Sequence, residues 1–168
     1  MTQPSPRSRT RADSAVLLLV AVAILALDRA TKAWIEGNLE IGQTVDVIGS
    51  FLQLWHVENS GAAFSFFQGG RLFFLVVSLG AVGVIGWSHW RMRGQGLIIH
   101  VVLGLFLAGA LGNFFDRVVD GSVTDWISVG VGDLRFPTFN VADAALTVGV
   151  IAFLGLTLLG GRSGEKAS

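Results

Sequence analysis

The chain has 168 residues, enough for one domain, and is 52% hydrophobic but only 14% charged, with mean hydropathy +0.64. Soluble domains carry about 25% charged residues, so much of this chain has no need of water. The formal net charge is +0 and there are 0 cysteines, which leaves no electrostatic footprint for nucleic acid and excludes disulfides, thiolate catalysis and Cys-ligated metals.

Taken in chain order, the first apolar stretch covers residues 15–27, and its helix is expected to continue to Ile35. Arg7, Arg9 and Arg11 precede it, as in the n-region of a signal peptide. No small-residue cleavage site follows promptly; Asp28, Arg29, Lys32 and Trp34 do, so the stretch reads as a retained helix. Next come two segments rich in β-branched and aromatic residues, 44–48 and 51–57, with Gly49-Ser50 as a turn between them: a small hairpin or sheet. Three more apolar stretches follow at 72–87, 97–112 and 144–159. Each of the four extends with its flanks to about 18–20 residues, enough to cross roughly 30 Å of hydrocarbon. Glycines such as Gly80, Gly83, Gly104 and Gly109 let helix backbones approach closely where lipid supplies no hydrophobic drive. The fold expected is an all-α polytopic membrane protein, four transmembrane helices with a small extracytoplasmic β-sheet, in a single domain over 1–168 with cytoplasmic tails at 1–13 and 161–168.

Lys and Arg set the orientation. Arg7, Arg9 and Arg11, the Arg91–Arg93 link, and Arg162 with Lys166 fall on one side of a four-span chain, which should be cytoplasmic. The opposite side receives residues 37–70 and 118–139, with Glu40, Asp46, Glu58, Asp120, Asp125 and Asp133 against Arg135. Trp34, Trp55, Trp87, Trp90 and Trp126 fall near helix ends or in outer segments, where an indole suits a membrane interface. The histidines, His56, His89 and His100, form no HxxxH or HExxH pair and do not point to a metal site.

Polar residues beside apolar helices are costly unless paired, and are functional candidates by default. Asp28 and Lys32, four apart, share a helix face and can form an ion pair. Asn59-Ser60-Gly61-Ala62-Ala63-Phe64 is either a turn or a place where backbone amides approach an extended ligand. In Gly112-Asn113-Phe114-Phe115-Asp116-Arg117, the spacing lets Asn113, Asp116 and Arg117 face one way, with an Asp116–Arg117 salt bridge as the structural reading. Val123-Thr124-Asp125-Trp126-Ile127 reads as a short strand with an aspartate at its centre. In Phe139-Asn140-Val141-Ala142-Asp143, Asn140 reads as a helix N-cap and Asp143 as an acid favoured in the first turn. The topology brings these clusters to one membrane face. Two aspartates in a partly dry site share a proton, so one can activate water while the other protonates the carbonyl or leaving amine. Peptide hydrolysis is the reaction these residues permit. Of Asp116, Asp125 and Asp143, the three aspartates that could form the pair, Asp116 has Arg117 beside it to hold it ionised, whereas Asp125 has no adjacent cation.

These five clusters, in this order, resemble the lipoprotein signal peptidase (signal peptidase II) family. The resemblance implies an aspartyl endopeptidase that cleaves diacylglyceryl-modified prolipoproteins N-terminal to the lipidated cysteine. It places the catalytic pair on Asp125 and Asp143, gives Asn113, Arg117 and Asn140 supporting roles, and puts Asp116, Asp28, Lys32, Asn59 and Gly61 around the site. It also implies a bacterial cytoplasmic (inner) membrane location, contact with membrane lipid, inhibition by globomycin, a monomer, and no metal or cofactor. Arg29, where that family often has Gln, is expected to alter local pairing but not the chemistry. Two rivals stand beside this reading. Gly130-Val131-Gly132-Asp133 spells the GxGD motif of presenilin-type proteases, but it lies in an outer turn and the chain has 0 tyrosines for the partner motif. A small transporter would place its polar groups at mid-membrane rather than at one face.

Overall fold

The computed structural model describes residues 6–61 and 70–165. It contains α1 (Pro6–Asn38), β1 (Thr44–Ile48), β2 (Leu52–Asn59), α2 (Arg71–Arg91), α3 (Leu97–Val119), β3 (Val123–Val131), β4 (Leu134–Arg135) and α4 (Val141–Glu165). All four helices are long and apolar enough to cross a membrane. Their outward faces carry exposed Leu18, Leu19, Val76, Leu79, Val150 and Ile151, a surface suited to lipid rather than water.

α1 has 33 residues and is about 50 Å long, well beyond the hydrocarbon thickness of about 30 Å. It takes in residues 6–13, which the sequence reading assigned to a tail, and α4 likewise runs on through residue 165. A helix satisfies its own backbone groups and need not stop at the hydrocarbon edge. Pro6 sits in the first turn, where a missing N–H costs nothing. α3 is the central helix, packed against α1, α2 and α4, and it buries the most residues; in α2 only Ile85 is buried. The core is small: Leu17, Ile85 and Leu103, with Phe106 and Leu107 against them. Close approach does the rest. A Cβ on Gly109 would lie 2.6 Å from the Ala142 carbonyl oxygen of α4.

The predicted hairpin is part of a larger sheet, antiparallel throughout, in the order β1-β2-β3-β4. Gly49 (φ 49°) turns β1 into β2, and Gly132 (φ 56°) supplies the turn expected there, which links the end of β3 to a short β4 that the sequence did not signal. β2 and β3 are distant in sequence, yet Val57 pairs with Asp125 and Asn59 with Val123. Trp34, Trp87 and Trp90 are exposed at helix ends.

The molecule is polar along its helices. At one end lie the sheet, the last turns of α1 and α3 and the start of α4. At the other, three elements meet at a cluster that separate histidines in the sequence did not suggest. His89 of α2 and His100 of α3 lie 5.0 Å apart between ring centroids. Asp13 of α1 lies 3.3 Å from His100 Nε2 and accepts the Gly94 N–H at 2.7 Å.

Candidate active site

Helix geometry places the first pair. Asp28 and Lys32, both fully buried, are one turn apart on α1, with Lys32 Nζ 2.8 Å from Asp28 Oδ2. Asp28 reaches α4, where its Oδ1 accepts the Ala142 N–H at 3.0 Å. Gly112 of α3 makes this possible, since a Cβ there would lie 2.8 Å from Asp28 Oδ2. The same Nζ lies 2.7 Å from Asp116 Oδ2 on α3.

Asp116 also binds Arg29, which corrects the expected Asp116–Arg117 pairing. Among the described residues, the salt bridges of Asp116 go to α1, to Arg29 and Lys32, and not to Arg117. Neighbouring residues on a helix point apart, so adjacency in sequence is a poor guide to pairing. Arg29, expected to alter local pairing, does so as the surface partner of that buried carboxylate. Arg117 instead donates to the Asn113 carbonyl at 3.2 Å and lies 4.5 Å from the Phe74 ring centroid, a cation–π contact with α2 that no local signal could have revealed.

Three asparagines then hold the two candidate aspartates, and Asn140 and Asn113 connect the pair. Asn140 caps α4. Its Oδ1 accepts the Asp143 N–H at 3.0 Å, while Asp143 Oδ2 accepts the Asn140 N–H at 3.2 Å. This is a reciprocal capping box, with aspartate in the place usually taken by Glu or Gln. Because Asn140 Oδ1 is an acceptor here, its Nδ2 is the group directed outward. It donates to Asp125 Oδ1 at 2.7 Å and to Asn113 Oδ1 at 3.2 Å. Asn113 Nδ2 donates to Asp143 Oδ1 at 2.7 Å. On the strand side, the Gly61 N–H donates to Asn59 Oδ1 at 2.9 Å, and that fixes the Asn59 amide so that Nδ2 donates to Asp125 Oδ2 at 2.9 Å. Gly61 has φ 83°, the left-handed region that glycine enters freely. Ala62, Ala63 and Phe64, the rest of that motif, lie outside the described residues.

Asp125 is buried on β3. Burial raises its carboxyl from 3.8 to about 6. The Asn59 hydrogen bond opposes this, the charge of Asp143 adds to it, and the Asn140 bond and the Lys32 charge oppose it. Thus Asp28, Lys32, Asn59, Gly61, Asn113, Asp116, Arg117, Asp125, Asn140 and Asp143, chosen from five separate clusters, all join one connected network. Beyond it, the Thr124 hydroxyl donates to Glu36 at 2.7 Å, a bond from the neighbouring strand residue that sequence spacing did not signal.

Four membrane-length helices with a pair of carboxyl groups coupled through one asparagine, at the end that carries the sheet, define a polytopic membrane protein with an aspartyl-peptidase-like site. The signal peptidase (SPase) II family matches residues 20–159. The chain belongs to that family, and it is an aspartyl endopeptidase that removes prolipoprotein signal peptides. It is 40% identical over 150 residues to the lipoprotein signal peptidase of Shouchella clausii (strain KSM-K16), covering 89% of this chain and 97% of that one. It is 38% identical over 136 residues to the lipoprotein signal peptidase of Listeria welshimeri serovar 6b, covering 81% and 88%. Two solved structures described as bacterial membrane enzymes, determined by the in meso method at 1.9 and 2.3 Å resolution, are also similar. Their TM-scores are 0.80 and 0.81, with 34% and 33% identity, and the match covers 86% and 92% of this chain and 93% of each of theirs.

Proposed function

We propose that Asp125 and Asp143 are the catalytic pair with which this peptidase cleaves diacylglyceryl-modified prolipoproteins on the N-terminal side of the lipidated cysteine. The observation that carries the reading is the double role of Asn140, whose backbone N–H holds Asp143 and whose side chain holds Asp125. Asp125, raised to about 6, is the partner suited to carry a proton. Asp143 takes a proton from water as the water oxygen bonds to the scissile carbonyl carbon, and Asp125 protonates the carbonyl oxygen. The tetrahedral intermediate then collapses: the C–N bond breaks, the amine of the lipidated cysteine takes the proton held by Asp143, one hydroxyl of the intermediate returns its proton to Asp125, and the signal peptide leaves with a new carboxyl end. Asn113 and Asn59 orient the two carboxyl groups, and Arg117 supports the site through Asn113. The network of Asp28, Lys32, Asp116 and Arg29 locks α1 to α3.

In this reading the protein is a monomer of the bacterial inner membrane, with both termini cytoplasmic and the dyad near the outer face. Globomycin, a cyclic lipopeptide with a hydroxyl that can sit between two carboxyls, is expected to inhibit it as a mimic of the intermediate. The test is turnover of a lipidated prolipoprotein by purified, folded variants. Asp125→Asn and Asp143→Asn are each expected to lose at least about a thousandfold in rate, with the double variant no worse than either, because the pair acts as one unit. Asp116→Asn should keep turnover per folded molecule within about tenfold. An inactive Asp116→Asn beside an active Asp125→Asn would move the dyad to Asp116 and Asp143.

A further inference from the structure

α2 is the helix least held by packing, with Ile85 as its one buried residue and an outward face of apolar side chains. Its first turn nevertheless reaches the site. Arg71 Nη2 donates to the Val118 carbonyl at 2.6 Å, which fixes the start of α2 beside the last turn of α3. Phe74, half-buried, follows in the same turn, and its N–H donates to the Gly70 carbonyl at 2.9 Å.

The Phe74 ring touches both arms that hold the candidate carboxyl groups. On one side it lies against Gly61, where a Cβ would be 2.5 Å from Phe74 Cε2, so a glycine is needed for the ring to come this close. The Gly61 N–H orients Asn59, and Asn59 Nδ2 holds Asp125 Oδ2 at 2.9 Å. On the other side the Arg117 guanidinium carbon lies 4.5 Å from the ring centroid. Arg117 Nη1 donates to the Asn113 carbonyl at 3.2 Å, and Asn113 Nδ2 holds Asp143 Oδ1 at 2.7 Å. The charge of Arg117 is felt by Asp143, Asp125 and Asp116, so where the guanidinium sits matters to the whole pair. Arg carries a long, rotamer-rich side chain, and one bond to a carbonyl does not fix it. The negative face of an aromatic ring supplies a second attachment for the planar cation.

We propose that Phe74 is a positioning residue for peptide hydrolysis, its ring braced between Gly61 and Arg117 so that it sets both the Asn59 bond to Asp125 and the place of the Arg117 charge beside the dyad. Phe74 touches no reacting atom and acts through these two neighbours. Its effect on rate rests on the dyad reading above; its effect on Asp125 does not. Without the ring, the guanidinium is free to turn away and the segment that orients Asn59 loosens. A positive charge and a donated hydrogen bond both favour a carboxylate, so both losses tip Asp125 towards the neutral acid.

The test uses the full chain in detergent. Asp125 is titrated directly by NMR of isotope-labelled aspartate carboxyl groups, its signal assigned with Asp125→Asn, and cleavage of a lipidated prolipoprotein is followed across the same pH range. Phe74→Leu keeps an apolar side chain but removes the aromatic face. It is expected to raise the Asp125 midpoint by roughly 0.3–0.5 pH units and to move the alkaline limb of kcat/KM up with it. kcat should fall about tenfold with KM little changed, because the loss is one of alignment rather than of substrate contact. Phe74→Met, also without an aromatic face, should behave as Phe74→Leu does and guards against poor packing of the branched side chain. Phe74→Tyr keeps the face and should leave midpoint and limb as in the parent. In an Arg117→Gln background the shift caused by Phe74→Leu should shrink, since the charge that the ring places is already gone. A midpoint unmoved in folded Phe74→Leu and Phe74→Met, an equal shift in Phe74→Tyr, or a shift undiminished beside Arg117→Gln overturns the proposal. A midpoint that moves as expected while the pH–rate limb stays in place keeps the positioning of Asp125 by Phe74 and removes Asp125 from the chemistry.

Discussion

The protonation of Asp125 is set by a contest that can be shifted one residue at a time. Burial and the charge of Asp143 favour the neutral acid, while the bonds from Asn59 and Asn140 favour the carboxylate. If Asp125 supplies the proton in catalysis, kcat/KM falls as pH rises through about 6. Removing the Asn59 bond withdraws support from the carboxylate, so Asn59→Ala should move this alkaline limb to higher pH, a shift that a merely less stable enzyme would not show. The same group links to stability. Folded Asp125 holds its proton more tightly than the unfolded chain, which titrates near 3.8. Its ionisation therefore destabilises the fold fully above about pH 6, and this contribution vanishes as pH falls through that range to below about 4. Asp125→Asn, neutral at every pH, should accordingly be more stable than the parent at pH 8 by about 1–2 kcal/mol and show little gain at pH 4, measured by thermal unfolding in detergent.

Among the elements, α1 and α4 both serve the site in ways their apolar patterns do not disclose. α1 carries one buried cation against two carboxylates, Lys32 between Asp28 and Asp116, with Arg29 closing the network from the exposed side. Breaking a buried pair costs more than the pair contributes, because the remaining charges stay buried. Lys32→Met should lower stability by about 3–5 kcal/mol, and an unchanged unfolding temperature would show that the network does not lock α1 to α3. α4 starts with a capping box whose acidic member, Asp143, is also the proposed base. Under that proposal helix start and chemistry use the same carboxylate, which the cap holds in place.

Across the whole molecule, the two ends differ in kind. One holds the sheet and the proposed dyad; the other holds Asp13, His89 and His100 with the Arg91–Arg93 link nearby. With the basic segments at the second end, the charge rule directs it to the cytoplasm. Because the chain has 0 cysteines, single-site labelling is clean. In intact cells Gly121→Cys should react with an impermeant maleimide and Arg93→Cys only after lysis. Labelling of Arg93→Cys from outside would invert the orientation and place the dyad on the wrong side for exported substrates.

Read alone, the sequence was sufficient for the four spans, the hairpin at Gly49, the turn at Gly132, the Asp28–Lys32 pair and the cap at Asn140. Each of these depends on residues within about four positions of one another, where helix and turn geometry fix the distances. The family motifs also named the ten residues that the structure joins. Side-chain partners were another matter. Asp116 pairs with Arg29 and Lys32 rather than with adjacent Arg117, Arg117 packs on Phe74, Asp28 reaches the Ala142 amide, and Thr124 reaches Glu36. A cavity lined by Glu36, Glu40, His56, Glu58, Asp120 and Thr124 is likewise built from three separate stretches of chain. Local spacing determines which face of an element a residue occupies, but the partner on that face depends on how helices and strands far apart in sequence pack together, and only the tertiary structure decided that.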